Sequence, residues 1–248
     1  MMKRIASDMS STRQAPAVTV ARASTPLLQR LGNRRAAQIV TAQLATPVVQ
    51  RRRGVDATAQ AIIDAAKDTS AQPSAEKRAI AAVWAIVRTY YADQVGRVKD
   101  VTFRSAEHGL NTTSQGRGAT TTGIIEVGSY FLDHIDDFAH RVLQVGHELQ
   151  HVDQYRTGMT GRDKSPQREF LAYSWEALEA EKAGTGHMSA ATRRAIIDGA
   201  LGNFLCLSSD DQATFADKRD QLRAKRRTVD GKKGNDPVPE PTECKPVG

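Results

Sequence analysis

The chain has 248 residues, 40% of them hydrophobic, which is enough for one sizeable core, and its low aromatic content of 5% with abundant alanine favours helices. The net charge of +7 argues against a nucleic-acid partner because it comes from the ends: residues 1–55 hold ten Lys or Arg and one acid, whereas residues 56–217 hold sixteen basic and twenty-two acidic groups. No apolar run approaches the roughly 18–20 residues that a membrane span needs, and no apolar stretch follows Lys3 and Arg4 as a secretory signal peptide would require.

The composition changes along the chain and predicts three parts. Residues 1–55 are rich in Ser, Thr, Arg, Ala and Gln, and we expect a disordered basic leader with at most a short helix at 27–44. A folded domain is expected at residues 56–228. Residues 229–248, rich in Gly, Lys, Pro and Glu, are expected to form a flexible tail.

Hydrophobic periodicity and capping residues predict the elements of the folded domain. Apolar residues at helical spacing follow the N-cap candidates Asp56 and Ser74, and an alternating pattern indicates short strands after them. The expected elements, in chain order, are helices 57–66 and 74–91, strand 98–103, a polar loop 112–122, strand 123–127, a helix from Asp136 or Asp137 to about Tyr155, and helices 167–183, 190–205 and 210–227. This order predicts an α+β fold, mainly helical, with an N-terminal helical pair, a small mixed sheet and C-terminal helices.

The two cysteines, Cys206 and Cys244, are too few for a disulfide framework and lack the spacing of a metal site. A single bridge and two free thiols are equally compatible with the sequence.

The residues with the clearest chemistry are His147-Glu148-Leu149-Gln150-His151, inside the helix expected to end near Tyr155. Positions i and i+4 share one face of a helix, so His147 and His151 can present two imidazole nitrogens to one metal ion. Glu148 then points beside the metal, where it can take a proton from a water whose pKa zinc lowers to about 7. We therefore predict a zinc site with Glu148 as its general base.

Chance is a weak explanation of this motif, because six His and ten Glu in 248 residues give an expected number of such strings of about 0.006. Two alternatives stay open. The two histidines can be ordinary surface or core-edge residues beside a solvated Glu148, or the site can bind zinc without catalysing a reaction.

A catalytic zinc site needs a third protein ligand. The metzincin pattern requires Gly and His where this chain has Gln154 and Thr157, which leaves a Glu from a following helix. Glu169 opens the first helix that can fold back on the motif, and we expect it to be the ligand; Glu176 lies seven residues further on the same face and is the alternative. Either can instead be a salt-bridged surface residue.

The stretch Gly146-His-Glu-Leu-Gln-His-Val-Asp-Gln154, with Glu169-Phe-Leu-Ala-Tyr173, resembles the gluzincin-like peptidase domains of bacterial toxins. The resemblance implies a zincin-like catalytic domain with the sheet over the motif helix. Where the thermolysin-like pattern has an Asp four residues after the ligand Glu, this chain has Tyr173, whose hydroxyl would have to hold the first His.

The leader carries a second, shorter resemblance. Leu28-Gln-Arg-Leu-Gly-Asn-Arg34, followed by Val48-Val-Gln-Arg-Arg-Arg53, is similar to the N-terminal leaders of proteins associated with extracellular contractile injection systems. It implies a protein made in the bacterial cytoplasm and exported into target cells without a signal peptide, with the leader as its loading segment and an injection particle as its partner.

Three more residues are weaker candidates. His140 lies seven residues before His147 and can contact substrate, although a hydrogen-bonded, partly buried role is the simpler expectation. His187 or Tyr173 can stabilise an oxyanion.

The sequence therefore favours a zinc-dependent endopeptidase, with a protein substrate and an effector role. Autoprocessing near Arg51-Arg52-Arg53 is compatible with this activity. The alternative is a catalytically silent binding or structural module with the same fold.

Overall fold

The computed structural model describes residues 54–105, 109–233, 236–237 and 239–244. The predicted leader lies outside this part of the chain except for Gly54 and Val55, and so does the possible helix at 27–44. The fold of the described residues is α+β and mainly helical, as the sequence predicted, with one small mixed sheet.

The element bounds follow the predicted order closely. The helices are α1 (Ala57–Lys67), α2 (Ala75–Tyr90), α3 (Ser129–Asp133), α4 (Phe138–Arg156), α5 (Ser165–Leu178), α6 (Ala190–Phe204), α7 (Ser209–Thr214) and α8 (Ala216–Val229); the strands are β1 (Val98–Phe103), β2 (Leu110–Gln115) and β3 (Thr122–Val127). Short 3-10 helices occur at Ala92–Arg97, Gly118–Thr120 and Arg162–Lys164. Asp56 and Ser74 cap α1 and α2 with their side chains, as expected.

The sheet has the order β1-β3-β2, with β3 parallel to β1 and antiparallel to β2. Val101, Ile125 and Thr112 stand side by side across the three strands and are all buried, so their face of the sheet packs on the helices. Strand β2 forms one edge of the sheet, and among the described residues it pairs only with β3.

Helix α4 lies between two hydrophobic clusters and is buried on most of its surface. Its residues Phe138, Val142, Val145 and Leu149 pack in the first cluster with α1, α2 and the sheet. Ala139 and Leu143, on a neighbouring face of the helix, pack in the second cluster with residues of α5, α6 and α8. A helix that is enclosed in this way holds its side chains in fixed positions, which a catalytic site requires.

Two glycines bring neighbouring elements close to α4. A Cβ atom on Gly146 would lie 2.2 Å from the Trp175 ring of α5 and 2.4 Å from the Tyr91 hydroxyl oxygen, and one on Gly123 of β3 would lie 2.4 Å from Val152. The Tyr91 hydroxyl donates to the Val142 carbonyl oxygen at 2.9 Å. The sheet and α5 can therefore approach the motif helix only because these positions lack a side chain.

Three predicted boundaries were wrong, each for a local reason. The segment 112–122 is not a loop throughout, because Leu110–Gln115 forms β2; only Thr112 of this polar edge strand is buried, so no apolar alternation marks it. Helix α5 ends at Leu178 instead of residue 183, since Glu179 is extended. The helix expected at 210–227 is divided at Phe215, whose ring contacts Phe170 in the second cluster.

The described part of the C-terminal segment, for which we predict a flexible tail, is attached to the domain at two points. Cys206, just after α6, forms a disulfide with Cys244. The Arg223 guanidinium of α8 donates to Glu240 at 2.7 Å. The structure thus selects the bridged form of the two cysteines, which the sequence left open.

Reducing the disulfide is expected to lower the free energy of unfolding by up to about 4 kcal/mol, because the bond closes a loop across a sequence separation of 38 residues and so limits the unfolded chain. Denaturant unfolding with and without a reductant measures the change. The double variant Cys206→Ala/Cys244→Ala should behave like the reduced protein and be insensitive to the reductant. Two titratable thiols in the untreated native protein would contradict the bridge.

Candidate metal centre

Three ligand atoms from α4 and α5 converge at one point. His147 and His151, one turn apart on α4, direct their Nε2 atoms to the carboxylate of Glu169 in the first turns of α5, at 3.6 and 3.3 Å. One ligand atom from each residue lies within 4.8 Å of the others. This is the set that the sequence favoured, brought together by the packing of α5 against α4.

The other ring nitrogen of each histidine has its own hydrogen-bond acceptor. His147 Nδ1 lies 3.1 Å from Glu176 Oε2, and His151 Nδ1 lies 2.9 Å from Gln154 Oε1. The Gln154 amide in turn donates to the Arg168 carbonyl oxygen at 3.0 Å. With the proton of each neutral imidazole on Nδ1, both Nε2 lone pairs face Glu169, which is the arrangement that metal-binding histidines need.

Glu148 is buried beside the two histidines, with only 6% of its surface exposed. This burial is incompatible with the alternative in which Glu148 is a solvated surface group. Its Oε2 atom makes no hydrogen bond with any described residue, and Thr112 of β2 lies next to it. Burial raises the pKa of the Glu148 carboxyl above its usual range. A buried acceptor without a partner is costly, so the position suits a carboxylate that binds a water molecule.

The centre concentrates negative charge around the two histidines. Burial alone would raise the pKa of Glu169, yet its contacts with His147 and His151 hold that pKa well below the usual range. Burial opposes protonation of His147, but Glu169 and Glu176 raise its pKa above the ordinary value of an imidazole. In the absence of a metal these carboxylates thus stabilise a proton on His147, and a divalent cation would satisfy the same negative charge.

The donor set fits zinc. Two neutral imidazole nitrogens and one carboxylate oxygen are a known ligand set of catalytic zinc, which leaves a fourth position for water or substrate. The unpartnered Glu148 oxygen lies beside that set. The residues present would therefore hold zinc through His147, His151 and Glu169, with Glu176 and Gln154 fixing the imidazoles.

Tyr173 does not hold His147 by a hydrogen bond among the described contacts. Its ring instead packs edge-on against the His147 imidazole, with 4.6 Å between centroids, while Glu176 accepts from Nδ1. Burial, reinforced by the charges of Glu176 and Glu169, raises the pKa of the Tyr173 phenol, so the hydroxyl stays protonated and can donate to an oxyanion.

The two remaining candidates lie away from the ligand atoms. His140 is partly buried, and its Nδ1 atom lies 3.1 Å from the Arg141 guanidinium. Its Nε2 atom lies 3.4 Å from Glu176 Oε1, so it contacts the Glu176 oxygen that does not face His147. The His187 side chain is 76% exposed, and its Nδ1 atom lies 3.1 Å from Glu181 Oε2. The structure brings Glu176 and His140 to the histidines but leaves His187 outside the cluster.

Sequence reasoning missed two residues of the centre. Gln154 lies three positions after His151 on the same helix face, which is the signal that could have identified it as a partner of His151. Thr112 had no such signal, because its place beside Glu148 depends on how β2 packs on α4.

Comparison of the chain with protein-family models, curated proteins and solved structures gives no match. Among the described residues, no helix is long and apolar enough to cross a membrane.

Proposed function

We propose that this protein is a zinc-dependent endopeptidase with a gluzincin-like, zincin-type catalytic domain. The observation that carries the proposal is the convergence of the His147 and His151 Nε2 atoms on Glu169, with the buried Glu148 carboxyl beside them and its Oε2 atom without a hydrogen-bond partner among the described residues. A binding module has no need of a buried general base, so the intact Glu148 favours an enzyme over a silent module with the same fold.

The roles of the residues follow from their positions. His147, His151 and Glu169 would hold zinc, and the bound ion would supply a Lewis acid able to activate water and to polarise the substrate carbonyl. Glu148 orients the attacking water through the oxygen that lacks another partner, takes its proton, and returns that proton to the leaving amine. Tyr173 is the candidate donor to the developing oxyanion.

A peptide substrate is supported by the sheet edge next to Glu148. Strand β2 carries Thr112 beside the general base, and the outer edge of β2 is unpaired among the described strands. The free backbone groups of an edge strand can bind an extended peptide by adding it to the sheet. The scissile bond of such a peptide would pass close to Glu148.

The central experiment combines metal content with a proteomic search for new N-termini. The full-length protein, purified and loaded with zinc, is incubated with a cell lysate, and new N-termini are compared with those produced by Glu148→Gln. We expect about one zinc per chain in both proteins and new N-termini only with the wild type. Zinc without any cleavage would favour the silent module.

The third ligand can be tested by ranking two conservative variants. Glu169→Gln should weaken zinc retention against a chelator more than Glu176→Gln, because Glu169 faces both Nε2 atoms whereas Glu176 faces Nδ1 of one histidine. Losing a residue that only hydrogen-bonds a ligand histidine can itself lower zinc affinity by about 10–100-fold. The test is therefore which of the two variants loses zinc more easily. The reverse ranking would transfer the ligand role to Glu176.

We further propose that the protein is a bacterial effector loaded into an injection particle through its leader, as the resemblance of residues 28–34 and 48–53 implies. A chain beginning at Gly54 keeps the Val55–Thr185 bridge and the bond from the Asp56 amide to the Gly184 carbonyl oxygen. It should fold and cleave like the full chain but fail to load into the particle. Loss of cleavage on truncation would show that the leader contributes to the catalytic domain.

A further inference from the structure

A polar cleft of about 390 Å³ lies at the C-terminal end of the motif helix. Its walls are the end of β2 (Ser114), the turn that follows β2 (Arg117 and Thr121), the last residues of α4 (Tyr155) and the loop after α4 (Thr160). The proposed catalytic mechanism uses none of these residues.

The cleft lies beyond the catalytic centre in the chain direction of both β2 and α4. Ser114 is two residues from Thr112 on the same face of β2, and this corresponds to about 7 Å along a strand. Tyr155 follows Glu148 by seven residues on α4, a rise of about 10 Å along the helix axis. An extended peptide on the edge of β2 would therefore place a side chain in the cleft two or three residues from the scissile bond.

The charge of the cleft is positive. Of the eight described residues that line it, only Arg117 is charged. Arg117 is exposed, and its guanidinium makes no ion pair or hydrogen bond with any described residue.

Two further guanidinium groups do not line the cleft but contact residues that do. Arg156 donates to the Thr121 carbonyl oxygen at 3.0 Å, and Arg168 lies over the Tyr155 ring at 5.2 Å. Neither has a carboxylate partner among the described contacts, whereas Asp153, in the last turns of α4, is paired with Arg97. Serine and threonine at the walls can add hydrogen bonds to an anionic group.

We propose that this cleft is a specificity subsite that binds an acidic side chain, Asp or Glu, of the protein substrate, with Arg117 as its cation. The inference rests on the proposed peptidase activity and names its substrate class: proteins with an acidic residue two or three positions from the cleaved bond. The planar guanidinium can donate two parallel hydrogen bonds to a carboxylate, which a neutral amide of the same shape cannot accept with equal strength.

The test is a cleavage-site profile of the full-length, zinc-loaded protein on a peptide library derived from a proteome. We expect Asp and Glu to be enriched at one position two or three residues from the cleaved bond. Arg117→Ala should remove this enrichment and slow cleavage of acidic sites by about five- to tenfold relative to cleavage of non-acidic sites. Arg117→Glu should replace it with enrichment of Lys and Arg.

Lys77→Glu is the matched control for Arg117→Glu, because it also replaces a positive side chain with a negative one. Lys77 is exposed in the first turn of α2. This control variant should keep the wild-type profile. Cleavage without an acidic preference, or a preference that survives in Arg117→Ala, would overturn the subsite and leave the peptidase intact. A complete absence of cleavage would overturn the proposed function and the subsite with it.

A binding measurement reads the same cleft without turnover. Zinc-loaded Glu148→Gln is titrated with two pools of fluorescent peptides, one with Asp or Glu at its varied positions and the other with Asn or Gln. The acidic pool should bind about fivefold or more tightly, and adding Arg117→Ala should remove the difference. Equal affinity of Glu148→Gln for the two pools would overturn the subsite.

Discussion

Replacing Glu148 with Gln is expected to lower kcat by at least about 10²–10⁴-fold while zinc content and fold stay unchanged. Gln nearly matches Glu in volume and can still hold the attacking water by a hydrogen bond, but it cannot take the proton. We expect the amide to stay in place, because it keeps the shape of the buried side chain beside Thr112 and the Glu148 Oε2 atom accepts no hydrogen bond from a described residue. The loss can exceed this range because, in the proposed mechanism, the same carboxylate also delivers the proton to the leaving amine.

The measurement is kcat on any substrate found in the N-terminal proteomics, with zinc content and thermal unfolding measured in parallel. Glu76→Gln, an exposed residue in the first turn of α2, is the matched control and should cleave at the wild-type rate. Glu148→Asp keeps a base but withdraws it by one methylene, so its rate should lie between those of wild type and Glu148→Gln. A Glu148→Gln rate within a few-fold of wild type would show that the general base lies elsewhere.

Removing either imidazole is expected to reduce bound zinc from near one per chain to near zero. His147→Ala and His151→Ala each leave two ligands, one fewer than the three protein ligands that catalytic zinc sites use. The hydrophobic clusters around α4 do not include either histidine, so the domain should still fold. Zinc content after dialysis, measured by elemental analysis, gives the result directly.

Thermal stability supplies a second readout of the same change. A ligand that binds only the folded state at a thousand times its Kd stabilises that state by about 4 kcal/mol. Added zinc should therefore raise the Tm of the wild type but not that of His147→Ala or His151→Ala. His134→Ala, an exposed histidine that stacks on Tyr130, should keep both zinc and the zinc-dependent rise in Tm. Stoichiometric zinc in both single variants of the motif would refute the site.

The local elements of the fold were predictable because their signals are local. Asp56 and Ser74 cap the first two helices as their sequence positions indicated, and the strands Val98–Phe103 and Thr122–Val127 follow from short alternating patterns. Strand β2 was not predictable. Thr112 is its one fully buried residue and Leu110 its one apolar residue, and the other four residues are polar and exposed, so no alternating apolar pattern marks the strand.

Sequence alone determined that His147 and His151 share a face and that Glu148 stands next to them, since the 3.6-residue period of a helix fixes those relations. It favoured Glu169 over Glu176 only because Glu169 opens the helix that follows the motif, since seven residues return to the same face of α5 and both carboxylates can point to α4. The tertiary structure decided between their positions. The close approach of α5 at Gly146 places Glu169 opposite the two Nε2 atoms and Glu176 against Nδ1 of His147. This difference depends on how α4 and α5 pack together, which the residue spacing within either helix does not determine.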